Sequence, residues 1–184
     1  MSAELAKGSL QAIARDHGSS LAESFLASVG IVLIDVSSSM NERDAGDGRS
    51  RWRAASDELE RVQAALPGKI ALISFANAPA FCWNGILPRA AGSTNLLAAL
   101  QFVAIADDCG LPIILISDGE PNDPGAVLAY AARFVTPLQC VYVGPAGSEG
   151  EAFLHRLARV TGGTANTTTA GQLMPRICGL LPAA

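Results

Sequence analysis

The sequence predicts an α/β fold in which helices cover both faces of a mostly parallel sheet. Short apolar runs, bounded by Gly, Pro and Asp, alternate along the chain with longer segments of helical periodicity. The apolar runs are continuous rather than alternating, as expected for strands that are buried on both faces. A length of 184 residues favours a single domain that can bury its own core. We therefore expect a Rossmann-like three-layer sandwich with about six strands, one of them a short antiparallel edge strand.

Five apolar runs predict individual strands. Four of them are continuous and predict buried strands: Ile31–Ile34, Ile70–Phe75, Ile113–Ile116 and Cys140–Val143. The fifth run, from Ala78 to Trp83, is followed by Asn84-Gly85, a dipeptide typical of tight turns. It contains Pro79, and proline has no backbone N–H to donate to a neighbouring strand. This run is therefore expected at the sheet edge, paired antiparallel with the strand that ends at Phe75.

Helical periodicity predicts the segments that connect the strands. These segments are Ser50 to Leu66, Asn95 to Ala106, Pro124 to Phe134 and Phe153 to Val160. The first stops at Pro67-Gly68 and the last at Gly162-Gly163. One or two further helices are expected in the first thirty residues, and a final one from Gly171 to Leu181. We expect residues 1–28 to form a helical extension packed on a domain of residues 29–184.

Composition and charge argue against several classes of protein. Charged residues make up 16% of the chain and the mean hydropathy is +0.30, which opposes disorder and a coiled coil. A net charge of −4 without a Lys/Arg cluster opposes nucleic-acid binding. The longest uncharged stretch, Ile70 to Pro88, is broken by Asn, Gly and Pro, and the first residues lack the apolar core of a signal peptide. We expect a cytoplasmic protein that binds neither nucleic acid nor membrane.

The four cysteines are widely spaced and form no CxxC or CxxH pair. They are Cys82, Cys109, Cys140 and Cys178. This spacing argues against a zinc site and against a disulfide framework. Because free cysteine is among the most often buried residue types, we expect buried free thiols.

Oxygen-bearing side chains follow three predicted elements of the sheet. In chain order they are Asp35, Ser37 and Ser39 after the first strand, Thr94 after the edge strand, and Asp118 after the strand that ends at Ile116. Ligands of open α/β sheets bind at the carboxyl ends of the strands. Two carboxylates and three hydroxyls are hard donors, which suit Mg²⁺ or Mn²⁺ better than zinc. Five protein groups, some acting through water, leave an octahedral shell incomplete, and a carboxylate from a partner is the natural occupant.

The pattern Asp35-x-Ser37-x-Ser39, with Thr94 in Gly-Ser-Thr-Asn-Leu and Asp118 in Ser-Asp-Gly, resembles the metal-ion-dependent adhesion site (MIDAS) of the von Willebrand factor A (vWA) domain family. All five motif positions are filled, and the likeness extends from about Val29 to Gly163. The sequence departs from the family at Ser93, where a second glycine is frequent; this change is expected to stiffen the loop without removing a ligand.

The resemblance implies a role for each site residue. Ser37, Ser39 and Thr94 are expected to contact the metal directly, whereas Asp35 and Asp118 act largely through waters or hydrogen bonds. The implied cofactor is Mg²⁺ or Mn²⁺, with Ca²⁺ as an alternative. The implied partner is a protein that supplies a Glu or Asp to the metal, such as an AAA+ ATPase or another component of an assembly.

Three functions stay open at this point. The first is a metal-dependent protein-protein interaction module without enzymatic activity. The second is a metal-assisted hydrolase or phosphoryl-transfer enzyme, disfavoured because Ser37 stands where a phosphatase would place its second acid and because the chain has no phosphate-binding G-x-x-x-x-G-K-[ST] loop. The third is a structural subunit in which the metal only stabilises the loops.

Other polar residues near the motif have alternative interpretations. Asp44 and Asp47 could add a second cation site or charge for a partner, but a solvated loop is the favoured interpretation. Asn122 and Asp123 could reach the rim of the site, although a turn that leads into a helix explains them equally well. His155 is expected on a helix surface rather than in a catalytic position.

Overall fold

In the computed structural model, the described residues, 4–44 and 48–167, form one six-stranded sheet with helices on both faces. The elements follow in the order α1 (Leu10–His17), α2 (Leu21–Leu26), β1 (Gly30–Asp35), a 3₁₀ helix (Ser38–Asn41), α3 (Arg51–Ala65), β2 (Ile70–Phe75), β3 (Pro79–Phe81), α4 (Leu96–Asp108), β4 (Ile113–Ser117), α5 (Pro124–Ala131), β5 (Leu138–Tyr142), α6 (Glu149–Val160) and β6 (Ala165–Thr167). The predicted α/β sandwich is confirmed.

The strands lie in the order β3-β2-β1-β4-β5-β6. All neighbours are parallel except β2 and β3, so the predicted antiparallel edge strand is also confirmed. Pro79 pairs with Phe75 at the outer edge, where its missing N–H breaks no second ladder. In the centre, Leu33 of β1 lies between Ile73 and Leu115. The parallel strands therefore end at one common edge of the sheet, and the loops that follow them meet there.

Alternate residues of β1 belong to two separate apolar cores, one on each face of the sheet. Ile31 and Leu33 pack in the core that α1, α4, α5 and α6 cover. Val32 and Ile34 pack in the other core, to which α3 contributes. All four side chains are almost fully buried. Burial of this kind contributes about 1.5–3 kcal/mol per large aliphatic side chain, which explains why the strands read as continuous apolar runs.

Three helix boundaries illustrate how local signals act. Ser50 caps α3 as the sequence suggests, since its hydroxyl accepts a hydrogen bond from the Arg53 N–H at 3.1 Å. Helix α6 begins earlier than its apolar periodicity indicates, because Ser148 caps a first turn that contains two acidic residues. Helix α5 ends at Ala131, short of the predicted end at Phe134. The predicted final helix, from Gly171 to Leu181, lies outside the described residues.

The segment before β1 contacts the rest of the chain at several points. Leu10 of α1 is buried in one of the two cores. The Gln11 N–H donates to the Trp83 carbonyl at 3.0 Å, and the Gly68 N–H donates to the Gly8 carbonyl at 2.8 Å. In α2, the Phe25 ring packs edge-to-face on Phe81 at a centroid distance of 5.6 Å. Helix α2 thus packs beside the edge strand β3.

No helix in the described part of the chain has the length and apolar character needed to cross a bilayer.

The cysteines differ in exposure. Cys82 and Cys140 are buried and free, as predicted. Cys109 is exposed where α4 ends, so the expectation of a buried thiol is wrong there, because the chain turns at the surface through Gly110. Cys178 lies outside the described residues.

We expect iodoacetamide to modify Cys109 in the native protein well before Cys82 or Cys140. Burial raises the pKa of both buried thiols, to about 12 for Cys140, and it also excludes the reagent. Mass spectrometry of the labelled peptides gives the three rates separately. In denaturant all three thiols should react alike; similar rates in the native protein would contradict the assigned burial.

Candidate metal centre

Three loops meet at the carboxyl edge of the central strands and bring the predicted site residues to one end of the sheet. Strands β1 and β4 are neighbours, so Asp35 at the end of one lies beside Ser117 at the end of the other. The third loop precedes α4 and is tied to the first by backbone bonds. The Ser38 N–H donates to the Gly92 carbonyl at 3.0 Å, and the Ala91 N–H donates to the Val36 carbonyl at 2.8 Å.

Asp35 joins the first loop to the loop after β4. It is fully buried. Its Oδ1 accepts a hydrogen bond from the Ser37 N–H at 2.8 Å, and its Oδ2 accepts one from the Ser117 hydroxyl at 2.7 Å. The Ser117 oxygen in turn accepts from the Gly119 N–H at 3.0 Å. Sequence reasoning assigned no role to Ser117, and the structure shows that it links two of the loops.

The two serines of the motif lie side by side. The Oγ atoms of Ser37 and Ser39 are 3.0 Å apart, close enough for a hydrogen bond between them. The 3₁₀ helix that starts at Ser38 produces this arrangement, because one tight turn carries the intervening side chain away. Ser38 is exposed, and its hydroxyl donates to the Gly92 carbonyl at 2.8 Å. Ser38 therefore braces the next loop and does not pair with the two motif hydroxyls.

Thr94 is held by Asn122 from the loop after β4. The Thr94 N–H donates to Asn122 Oδ1 at 3.2 Å, and the Asn122 N–H donates to the Thr94 carbonyl at 3.0 Å. Asn122 thus belongs to the site region, where the sequence left its role open. Asp123 instead caps α5, accepting from the Ala126 N–H at 2.9 Å.

The side chain of Ser93 contributes hydrogen bonds that a glycine could not make. The Ser93 hydroxyl donates to Asn77 Oδ1 at 2.9 Å, beside the backbone N–H, which donates to the same atom at 2.8 Å. The Asn122 side-chain amide also donates to the Ser93 hydroxyl at 3.3 Å. The expected stiffening of the threonine loop therefore has a structural basis.

Asp118 has one carboxylate oxygen engaged and one without a partner. Its Oδ2 accepts from Arg51 Nη1 at 3.1 Å. Its Oδ1 is buried and has no hydrogen-bond partner among the residues that the structure describes. An unpaired buried carboxylate oxygen is costly, so this atom points to a missing donor, a metal-bound water or a metal ion.

Arg51 also pairs with Asp44, an exposed residue of the loop before α3. Arg51 Nε and Nη2 donate to the two Asp44 oxygens at 2.7 and 2.6 Å. This pairing lowers the pKa of Asp44. Asp44 is therefore an exposed loop residue whose carboxylate is paired with the arginine at the start of α3. Asp47 lies outside the described residues.

The electrostatics favour a bound cation. Burial, together with the negative charge of Asp118, raises the pKa of Asp35 to about 6. When ionised, three carboxylates (Asp35, Asp118 and Asp44) against one guanidinium leave two negative charges. A divalent cation would neutralise them.

The donor set fits a hard cation rather than zinc. Within residues 4–44 and 48–167, no three His, Cys, Asp or Glu side chains are grouped so that they could hold a metal. A metal held by the predicted residues would therefore need the hydroxyls of the motif together with its two carboxylates. Mg²⁺ and Mn²⁺ accept such oxygen ligands.

Comparison with known proteins shows the fold. No family model matches the sequence, and no curated protein matches it. An aerotolerance-related membrane protein from Bacteroides fragilis, carrying mutations to serine, has a TM-score of 0.61 and 16% identity over 82% of this chain and 96% of that one.

Two further solved structures share the fold. The conserved hypothetical protein BatB from Bacteroides thetaiotaomicron has a TM-score of 0.55 and 17% identity, covering 80% of this chain and 93% of that one. The D319A mutant of the PilB minor pilin from Streptococcus sanguinis has a TM-score of 0.56 and 11% identity, covering 83% of this chain and 60% of that one. At such low identities the similarity extends to the fold alone.

Proposed function

We propose that the protein is a vWA-like, metal-dependent protein-protein interaction module. In this proposal Mg²⁺ or Mn²⁺ binds at the carboxyl edge of the sheet and accepts a Glu or Asp side chain from a partner. The observation that carries the proposal is Asp118 Oδ1, a buried carboxylate oxygen without a partner among the described residues. In this proposal two other loops supply hydroxyls to the same cation.

The roles of the individual residues follow from their contacts and from the MIDAS resemblance. Ser37, Ser39 and Thr94 would hold the cation through their hydroxyls, and Asp35 would balance its charge through hydrogen bonds. Asp118 would balance it through the one unpaired oxygen, Oδ1, which would face the cation or a water bound to it. A shell rich in neutral hydroxyls leaves a bound cation attractive to an incoming carboxylate. Asp35 would keep the loops in place through its bonds to Ser37 and Ser117.

Binding is favoured over catalysis by the surroundings of the serines. A nucleophilic serine needs a base within hydrogen-bond reach. In the described part of the chain, the hydroxyls of Ser37 and Ser39 pair with each other. His17 and His155 are both exposed, one at the end of α1 and the other on α6. We therefore propose an adaptor or assembly subunit, with an AAA+ ATPase or another assembly component as partner and the cytoplasm as its location.

Cation binding is tested with two neighbouring serines as a matched pair. We expect saturating Mg²⁺ or Mn²⁺ to raise the Tm of the protein by about 5–10 °C, the shift for a ligand near 100 times its Kd. Ser39→Ala should lose most of this shift, because it removes a ligand. Ser38→Ala should keep most of it, because the Ser38 hydroxyl bonds to the Gly92 carbonyl instead and the backbone N–H of residue 38 still holds that carbonyl. Equal shifts in both variants would contradict the assignment.

Partner binding is tested by affinity capture from the native host, with Mg²⁺ or with EDTA. We expect a partner that is retained by wild type and Ser38→Ala in Mg²⁺ and released by EDTA or by Ser39→Ala. Replacing the partner's contacting Glu or Asp by Ala should also release it. Capture that survives EDTA and Ser39→Ala would leave the cation a structural role and overturn the adhesion mechanism.

A further inference from the structure

The guanidinium of Arg51 bridges a site carboxylate and a loop carboxylate. Two of its nitrogens, Nε and Nη2, donate to Asp44 at 2.7 and 2.6 Å, and the third, Nη1, donates to Asp118 Oδ2 at 3.1 Å. Only 9% of the Arg51 side chain is exposed. Such a planar fork, fixed by two carboxylates, holds its partners in one orientation.

The backbone of Arg51 is also held in place by a hydrogen bond. Arg51 is the first residue of α3, and its N–H donates to the Glu42 carbonyl at 3.0 Å. A cation at a helix N-terminus is disfavoured by the helix dipole, so its place needs another source of stability. Asp44 supplies that stability. Because Asp44 also balances the charge of Arg51, the guanidinium can hold Asp118 without cancelling the negative charge of the site.

This contact decides which oxygens Asp118 can offer. Oδ2 is engaged by Arg51, and Oδ1 is the oxygen left without a partner among the described residues. A carboxylate held in this way presents one oxygen. Mg²⁺ requires an octahedral shell, to which a carboxylate supplies one oxygen, whereas Ca²⁺ accepts more ligands and often takes both oxygens of one carboxylate.

We propose that Arg51, held by Asp44, is a positioning residue that restricts Asp118 to one oxygen and so favours Mg²⁺ or Mn²⁺ over Ca²⁺, a role that rests on the proposed function of the same site. Without Arg51, Asp118 is free to turn both oxygens toward a larger cation.

The ratio of two affinities separates this geometric role from a charge effect. Mg²⁺ and Ca²⁺ carry the same charge, so removal of a nearby positive charge strengthens the binding of both by a similar factor. A change in the ratio of their Kd values therefore reports geometry. Arg51→Lys keeps the charge but lacks the planar fork that reaches both carboxylates, and Arg51→Met removes charge and fork together.

The experiment measures Kd for Mg²⁺ and for Ca²⁺ by titration calorimetry on the full chain. We expect Arg51→Lys and Arg51→Met to shift the Kd ratio toward Ca²⁺ by about tenfold, the lower range for an outer partner of a metal ligand. Arg53→Met is the matched control, since Arg53 lies two residues after Arg51 in α3, is exposed and pairs with Asp57 at 3.0 Å. Its ratio should equal that of the wild type.

Asp44→Ala keeps the test decisive if the Arg51 variants do not fold. The Asp44 side chain is one-third exposed, so the fold should tolerate its removal better than the removal of the buried Arg51 side chain. Removing the Asp44 carboxylate leaves the Arg51 guanidinium held only by Asp118. We expect a ratio shift in the same direction. If the wild type binds Mg²⁺ but the Kd ratio is unchanged in Asp44→Ala and in every folded Arg51 variant, the proposed role of Arg51 is overturned and the metal site stands. A wild type that binds neither cation would overturn the metal site and this role together.

Discussion

Replacing Asp35 by Asn is expected to weaken divalent-cation binding by about 100-fold while making the metal-free protein more stable. The two effects have one cause. Asp35 is a fully buried carboxylate near Asp118, and burial raises its pKa from 3.8 to about 6. A shift of this size corresponds to about 3 kcal/mol of unfavourable free energy when the group is ionised. Asn removes that charge, and its Oδ1 can still accept the Ser37 N–H.

The sign of the pH dependence provides a second measurement on the same variant. Between pH 3.8 and about 6 the folded wild type binds a proton at Asp35 that the unfolded chain does not bind. The free energy of unfolding of the metal-free wild type should therefore include a contribution that falls as the pH rises through this window, and Asp35→Asn should lack it. Chemical denaturation at several pH values, in EDTA, measures this difference.

Asp123→Asn is the control for Asp35→Asn. The Asp123 side chain caps α5 by accepting from the Ala126 N–H, and Asn caps helices about as well as Asp. Its cation affinity and stability should match those of the wild type. Retained cation affinity in Asp35→Asn would remove Asp35 from the site, and a less stable metal-free variant would contradict the electrostatic cause.

Replacing Gly150 by Ala is expected to destabilise the fold by about 3 kcal/mol and to weaken cation binding. Gly150 lies in the first turn of α6, directly against the loop that carries Asp118. A Cβ at Gly150 would overlap the Asp118 carbonyl oxygen, and a Cβ at Gly119 would overlap the Gly150 carbonyl oxygen. Since both obstacles are backbone atoms, the substitution has to displace the loop. Denaturant unfolding and cation titration measure the two effects.

Gly125→Ala is the matched control, because Gly125 occupies the same position in α5 that Gly150 occupies in α6. A Cβ at Gly125 meets the nearest atom, Asp123 Oδ1, at 3.6 Å, an ordinary contact. Alanine favours a helix over glycine by about 1 kcal/mol, so this variant should be as stable as the wild type or more stable. A Gly150→Ala protein of equal stability would mean that the loop does not depend on this close approach.

Much of the fold could be predicted because burial leaves a direct mark on sequence. Strands β1, β2, β4 and β5 are buried on both faces and appear as uninterrupted apolar runs. The edge strand β3 was recognisable from Pro79. Strand β6, Ala165–Thr167, has no such mark: it is short and only half-buried, and it pairs with β5 through long-range contacts.

The candidate site divides in the same way. The motif consists of residues that directly follow predicted elements of the sheet: Asp35, Ser37, Ser39, Thr94 and Asp118. Because parallel strands end at the same edge of a sheet, these residues were expected close together. It gave no information on Arg51, which lies 67 positions before Asp118. The available signal was its place at the first position of a helix, where a positive charge is unfavourable unless it is paired. Ser117 and Asn122 likewise acquired their roles from contacts between loops.

The sequence by itself determined which segments are apolar enough to be buried, where helices are capped, and which oxygen-bearing side chains follow the strands. These are local properties, since periodicity, caps and turn residues act over a few neighbouring positions. Only the tertiary structure decided that Arg51 holds one oxygen of Asp118 and that Gly150 admits the Asp118 loop. Both depend on the approach of segments far apart in the chain, and the position of such contacts is set by the packing of the whole sheet and its helices.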